Sequence, residues 1–158
     1  MKKRCFSLLR IAFALYCLIM LWLLFGQRLD WITAAPYWEQ LRGNVNLIPF
    51  RTLAEFWALL GTAKGGQLQH AIVNLLGNIG VFIPLGFFLP CLWPKLHVFR
   101  RHVLFVSCLI LLVELLQLFS LLGSCDIDDL FLNLLGSSLG YLLFGIIFRA
   151  SAKTEEIS

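Results

Sequence analysis

Four of the nine acidic residues in this 158-residue chain lie within or between its most apolar segments, where ionisable side chains are costly. Glu114 interrupts the apolar run 103–122, and Asp126, Asp128 and Asp129 occupy the short gap after it. Carboxyl groups in such surroundings can exchange protons or bind a ligand, because burial and neighbouring charges change their protonation. These residues are therefore candidates for a functional site.

Four side-chain amides occur at helical spacing from each other or from the carboxyl groups: Asn74, Asn78, Gln117 and Asn133. Residues three or four apart share one face of a helix, so each apolar segment would present a polar ridge. A simpler interpretation is that the amides link helices by hydrogen bonds, and that Asp128 or Asp129 caps the helix that follows. No Lys or Arg lies inside an apolar segment, so the partner of Glu114 is an amide, a loop arginine such as Arg51, or a ligand.

The elements that position these side chains are membrane-spanning helices. The chain is 59% hydrophobic and 14% charged, whereas a soluble domain carries about 25% charged residues. Apolar runs near 20 residues are typical of spans. We predict an all-α integral membrane bundle, a single domain over residues 1–158 with spans near 8–26, 71–93, 103–122 and 130–148. The basic start could also be a secretory signal peptide, but the length of the first run favours a retained span.

Residues 27–70 form the longest segment of mixed polarity. Thr52 and Glu55 match a capping box at the start of a helix. Apolar residues then follow at the spacing of one helical face: Leu53, Phe56, Trp57 and Leu60. The pattern predicts a short amphipathic helix in this loop, either in the headgroup layer or packed on the bundle.

The basic residues predict the orientation of the bundle. With both termini in the cytoplasm, the inner side carries nine of them: Lys2, Lys3, Arg4, Arg10, Lys95, Arg100, Arg101, Arg149 and Lys153. The outer side carries four: Arg28, Arg42, Arg51 and Lys64. This asymmetry follows the positive-inside rule. It places the acidic turn outside, where the polar ridges of spans two, three and four would converge in a pocket.

Several other classes of site have little support. The net charge of +4 lies at membrane edges, so no nucleic-acid partner is expected. The five cysteines include no Cys-x-x-Cys pair and are expected to be packing residues. The aspartates lack the remaining ligands of an EF-hand loop. We therefore predict neither a metal nor a cofactor.

The segment Gly136–Gly140 matches the pattern Gly-x-Ser-x-Gly. A nucleophile elbow requires a strand before the serine, whereas this serine lies in a predicted helix, and none of the histidines has a sequence-level reason to activate it. Gly136 and Gly140 instead indicate a close helix-packing face. Pro84, inside the second span, should kink that helix and free a carbonyl for another donor.

Four motifs, in order, resemble the VanZ-like family of membrane proteins: Asn46–Phe50, Asn78–Phe87, Glu114–Gln117, and Asp126–Asp129 followed by Asn133 and Gly136. The resemblance runs from Asn46 to Tyr141, roughly two thirds of the chain. It implies a small bacterial multi-pass membrane protein, and the member that names the family confers low-level resistance to the glycopeptide teicoplanin. The positions matching the family pattern are Asn78, Pro84, Gly86, Glu114, Gln117, Asp126, Asp129, Asn133 and Gly136.

Three functions follow as hypotheses. The favoured one is a non-enzymatic membrane factor whose outward pocket binds a membrane lipid, a lipid-linked envelope precursor or a lipoglycopeptide. Its candidate ligand-binding residues are Asn74, Asn78, Glu114, Gln117, Asp126, Asp129 and Asn133. The second is an intramembrane enzyme acting on a lipid or a lipid-linked envelope precursor, with Glu114 as acid or base and Asp126 and Asp129 polarising the substrate. The third is a structural or accessory subunit. The absence of a recognised nucleophile, phosphate loop or metal set favours the first hypothesis over the second.

Overall fold

The computed structural model describes residues 2–26, 35–62 and 66–157. The helices are α1 (Lys2–Leu21, extended by a π-helical turn, Trp22–Gly26), α2 (Tyr37–Gly43), α3 (Arg51–Thr62), α4 (Gly66–Leu92), α5 (Phe99–Phe119) and α6 (Ile127–Ile157). A 3₁₀ turn, Pro94–His97, joins α4 to α5, and two short strands, β1 (Val45–Asn46) and β2 (Cys125–Asp126), pair in parallel.

Within the described residues, four helical segments are long and apolar enough to cross a membrane: Phe6–Gly26, Ala71–Leu92, Phe99–Phe119 and Ile127–Phe148. The predicted fold class, an all-α integral membrane bundle, is confirmed. The first long loop contains two short helices, α2 and α3, where one was expected.

The helices α4 and α6 are the most closely packed pair in the bundle. A Cβ atom on Gly86 would overlap the carbonyl oxygen of Ser137, and one on Gly140 would overlap that of Ile83. Gly136 faces the carbonyl of Ile79 in the same way. Small residues let two helix backbones approach, so a larger side chain at any of the three glycines would push α4 and α6 apart. We call this contact the glycine seam.

The helix α4 continues through both of its prolines. Pro84 has no amide for the carbonyl of Gly80, and one residue further on the hydroxyl of Tyr16 in α1 donates to the carbonyl of Val81 at 2.7 Å. Near the end of α4, the carbonyl of Pro90 would face the missing amide of Pro94, and His97 Nε2 lies 2.9 Å from it. A carbonyl only accepts hydrogen bonds, so His97 is the donor there. Side chains therefore bind carbonyls near Pro84 and Pro94.

The boundaries of the last two spans differ from the expected ones. The helix α5 begins at Phe99, so Arg100, Arg101 and His102 belong to the helix and not to a connector. It ends at Phe119, where Leu121 adopts a left-handed conformation (φ 59°) and the amide of Leu122 donates to the carbonyl of Gln117 at 3.0 Å. This is the hydrogen bond of a Schellman-type helix end. Periodicity cannot detect such an end when the closing residue is leucine.

The helix α3 begins at Arg51, but the predicted capping box is wrong. Glu55 instead pairs with the exposed Arg51 at 2.9 Å, and the hydroxyl of Thr52 donates to Asp126 of β2. Trp57, which was expected on the apolar face of this helix, is exposed. The groups that cap α3 come from the start of α6, a distant part of the chain.

Candidate functional site

Two loops meet where α3 and α6 begin. In the strand pair, Val45 aligns with Cys125 and Asn46 with Asp126, and the amide of Cys125 donates to the carbonyl of Asn44 at 2.8 Å. This pairing joins residues about 80 positions apart and brings residues 44–52 onto the turn that holds the aspartates. We call the resulting cluster the acidic junction; its members are Asn46, Thr52, Asn78, Glu114, Asp126, Asp128, Asp129 and Asn133.

Asp126 fixes the start of α6 and the end of β1 simultaneously. Its Oδ1 accepts the amide of Asp128 at 2.8 Å, which is the geometry of a helix N-cap. Its Oδ2 accepts the side-chain amide of Asn46 at 3.0 Å and the hydroxyl of Thr52 at 3.1 Å. The cap of span four is therefore Asp126, and the expectation that Asp128 or Asp129 caps it is wrong.

Asp128 caps a different helix from its own. Its side chain is only 2% exposed, and it accepts the amides of Phe50 at 2.6 Å and Thr52 at 2.8 Å. Phe50 has φ 65°, a left-handed conformation that costs a non-glycine residue about 1–2 kcal/mol. Hydrogen bonds to a charged group contribute about 1.5–3 kcal/mol, which offsets that strain. Stacking of the Phe50 ring on Phe131 (6.1 Å between centroids) adds a second attachment to α6.

Asp129 and Asn133 lie one helical turn apart on α6, so they share one face of that helix. Asn78 of α4 donates its side-chain amide to Asp129 Oδ1. Asn133 is 4% exposed, and its buried side-chain oxygen has no hydrogen-bond partner among the described residues. An unsatisfied acceptor in a buried position costs about 1–3 kcal/mol. The position therefore suits a small hydrogen-bond donor.

Glu114 enters the junction from α5. It is 4% exposed, and its Oε2 accepts the amide of Asp126 at 3.3 Å. Arg51, the loop arginine considered as its partner, instead pairs with Glu55.

The pKa of the neighbouring Cys125 thiol depends on the carboxyl groups of the junction. Burial, followed by the charges of Glu114, Asp126 and Asp129, raises the pKa of Cys125 above its ordinary value. The thiolate would be a further negative charge beside three carboxyl groups, so the thiol form is favoured. Three of the four predicted carboxyl groups therefore lie close enough to Cys125 to affect its pKa.

Two predicted site residues lie apart from this cluster. Asn74 is exposed on α4, one turn before Asn78. Gln117 is buried, but its side-chain amide donates to the carbonyl of Leu24 at 2.8 Å, which ties α5 to the end of the α1 segment. Gln117 thus makes the interhelical link that was the simpler interpretation of the amides. Of the four amides, Asn78 and Asn133 are the two that the fold brings to the carboxyl groups.

Sequence reasoning missed a buried pair near the other end of the bundle. His102 of α5 and Ser137 of α6 are both fully buried, with Nε2 and Oγ 2.9 Å apart, and His102 Nδ1 has no partner among the described residues. Ser138, the serine of the Gly-x-Ser-x-Gly pattern, donates to the carbonyl of Leu134. Because Ser137 is enclosed at the glycine seam, the pair links helices and presents no open face to a substrate. The late start assumed for α5 hid His102 from the helix pattern.

The junction divides into two chemical parts. Asp126 and Asp128 are saturated by donors from residues 46–52 and from the start of α6, so their role is to hold the loop. Glu114, Asp129 and Asn133 are also buried and form the second part, which contains the side-chain oxygen of Asn133 that no described group satisfies. No group of three or more His, Cys, Asp or Glu side chains in the described segments has the arrangement of a metal site. This second part suits proton exchange or a ligand that donates hydrogen bonds.

The fold and the junction define a small multi-pass helical membrane protein with buried carboxyl groups at one end. The VanZ/LLP1 family model matches residues 13–149, so the chain belongs to that family. The chain is 28% identical to Protein VanZ of Enterococcus faecium over 134 residues, which cover 84% of this chain and 71% of that protein.

A second relative is the uncharacterized protein MJ0420 of Methanocaldococcus jannaschii. It is 38% identical over 79 residues, which cover 49% of this chain but 18% of that protein. No solved structure matches the chain.

Proposed function

We propose that this protein lowers the susceptibility of the cell envelope to teicoplanin, acting without catalysis through the acidic junction. The kinship with Protein VanZ supports the phenotype. The observation that carries the site is the buried side-chain oxygen of Asn133, which has no partner among the described residues, in a junction that also buries Glu114 and Asp129. Buried polar groups at a membrane boundary are costly unless they bind something.

The proposed orientation has both termini in the cytoplasm, because nine basic residues then lie inside and four outside. The junction would face outward, on the side where glycopeptides meet the envelope. Its ligand would be a membrane lipid, a lipid-linked envelope precursor or the lipoglycopeptide itself. Each of these combines an apolar chain with polar groups, as a site between spans and headgroups requires.

The test is expression in a teicoplanin-sensitive Gram-positive host, with the minimal inhibitory concentrations of teicoplanin and vancomycin as readouts. Wild type should raise the teicoplanin value several-fold, and Glu114→Gln and Asp129→Asn should remove most of that rise. Both substitutions keep the side-chain size while removing the carboxyl charge. Glu55→Gln is the matched control, because Glu55 is an exposed carboxylate in the same region and should leave resistance unchanged.

Immunoblots of membranes must show equal abundance of all variants. A well-expressed wild type that changes neither value would refute the proposed phenotype. Full resistance in both Glu114→Gln and Asp129→Asn would refute the proposed site while leaving the phenotype standing.

The enzymatic alternative has one observation in its favour, since buried carboxyl groups are suited to proton transfer. It predicts turnover of a lipid extract by the purified protein, lost in Glu114→Gln. The accessory-subunit alternative is supported by Asp126 and Asp128, because both accept hydrogen bonds that hold the fold together. It predicts that junction variants lose protein abundance, whereas the proposed function predicts lost resistance at normal abundance.

A further inference from the structure

We propose that a groove on the side of α5 that faces away from the bundle, at the end far from the acidic junction, binds an anionic phospholipid. The groove has a volume of about 650 Å³, within the usual range of ligand sites of about 300–1,000 Å³. Its walls combine two arginines with apolar side chains: Arg100, Arg101, Val98, Phe99, Val103 and Leu104. This site is separate from the proposed function and does not depend on it.

No ion pair holds the arginines of the groove among the side chains that the structure places. Arg100 and Arg101 are exposed, and no carboxylate among residues 6–26, 35–60 and 71–148 lies within 4.0 Å of either guanidinium group. The nearest acidic residue along α5 is Glu114, about 20 Å away along the helix axis. Guanidinium groups bind phosphate through paired hydrogen bonds, so two of them favour a phosphate over a neutral headgroup.

The position of the arginines sets the depth of the ligand. They lie in the first turn of the apolar segment Phe99–Phe119, so their guanidinium groups reach the headgroup layer while their stems lie along the helix. Anionic lipids attract basic residues at such a boundary, and clefts with basic residues at this level suit lipid phosphates.

The remaining walls suit an acyl chain. Leu104 follows Arg100 by one turn on the same face of α5, and its side chain is 67% exposed. The opposite face of α5, with His102, Val106 and Ile110, is buried in the bundle. The groove therefore opens away from the protein core, toward lipid. A soluble phosphate would use the arginines but gain nothing from the apolar walls.

The full chain, purified in a non-ionic detergent, would be titrated with dioleoylphosphatidylglycerol and with dioleoylphosphatidylcholine, and bound lipid measured by native mass spectrometry. The two lipids share acyl chains and differ in headgroup charge. We expect clearly tighter binding of the phosphatidylglycerol. Because each basic residue contributes roughly fivefold near an anionic lipid, Arg100→Gln/Arg101→Gln should weaken that binding about twentyfold and leave phosphatidylcholine almost unchanged.

Arg42→Gln/Lys95→Gln is the matched control, since it removes the same charge from exposed residues outside the groove. It should keep the preference for phosphatidylglycerol; an equal loss in the control would show a bulk charge effect and overturn the site. Wild type that binds both lipids equally would also overturn it.

Two further arms test the apolar wall and the source of the phosphate. Leu104→Asn should weaken binding of both lipids, and unchanged binding in this variant would refute a role for the wall. Displacement of lipid by equimolar sn-glycerol 3-phosphate would identify a soluble phosphate as the occupant and contradict the proposal. Gel filtration of each variant checks that it is folded.

Discussion

The glycine seam and the acidic junction both fasten α6, but by opposite means. At the seam, Gly86, Gly136 and Gly140 remove side chains so that the backbones of α4 and α6 touch. At the junction, Asp126 and Asp128 reach outward and accept hydrogen bonds from residues 46–52. The seam relies on close contact, where added volume is harmful. The junction relies on donors and acceptors, where lost polarity is harmful.

This difference also separates what each region can contribute to function. The seam is closed, and even its polar pair, His102 and Ser137, is fully buried against neighbouring helices. The junction gathers groups from four helices and the strand pair, and it contains an acceptor on Asn133 that no described group satisfies. A region that a second molecule completes is expected to look like the junction. The seam is a scaffold that holds α4 and α6 at the right distance for it.

The largest expected effect is at the seam. Gly140→Leu should prevent stable folding, because its side chain would collide with the backbone of α4 near Ile83, and a backbone cannot give way as a side chain can. Gly80→Leu is the control on α4, since a Cβ there meets nothing within 4 Å. Membrane abundance and detergent-solubilised, monodisperse yield measure the outcome. Similar yields for the two variants would contradict the close approach of α4 and α6.

A smaller effect is expected at the junction. Asp128→Ala removes the acceptor for the amides of Phe50 and Thr52, and should lower the free energy of unfolding by about 2–3 kcal/mol. Residues 44–52 should also become sensitive to protease, because the left-handed Phe50 loses the bond that offsets its strain. Heat-induced unfolding in detergent and mapping of the cleavage sites provide the measurements.

Glu55→Ala is the control for that substitution. It breaks only the exposed pair with Arg51, so its expected cost is about 0.5 kcal/mol or less. Equal destabilisation by Asp128→Ala and Glu55→Ala would refute the role of Asp128 as the cap of α3.

The contrast also explains which features the sequence could predict. Spans and the packing role of Gly136 and Gly140 follow from local patterns, since apolar length and a four-residue spacing lie within one segment. The junction depends on a two-residue strand pair between positions about 80 apart, which has no local signature. For this reason the local pattern predicts a capping box at Thr52, although its hydroxyl donates to Asp126 and its amide to Asp128.

Residue type identified the carboxyl groups but could not divide their roles. Glu114, Asp126, Asp128 and Asp129 all stood out as acids in apolar surroundings, yet two of them cap helices. That division depends on which backbone amides lie within reach, and it appears only when the chain is folded. The partner of Gln117 is also visible only in the folded chain, because its side-chain amide donates to the carbonyl of Leu24 at the end of the α1 segment.

The smallest expected effect concerns the thiol at the edge of the junction. Burial and the charges of Glu114, Asp126 and Asp129 raise the pKa of Cys125, so alkylation of this thiol should require more alkaline solution than an ordinary cysteine does. In a chain whose other cysteines are replaced by alanine, Asp126→Asn should move the pH profile of alkylation by N-ethylmaleimide to lower pH. The sign follows because removing a nearby negative charge makes the thiolate less unfavourable. Glu55→Gln is the control and should leave the pH profile unchanged, because Glu55 is not among the charges that raise the pKa of Cys125. A profile that does not move in Asp126→Asn would mean that the charge of Asp126 does not act on this thiol.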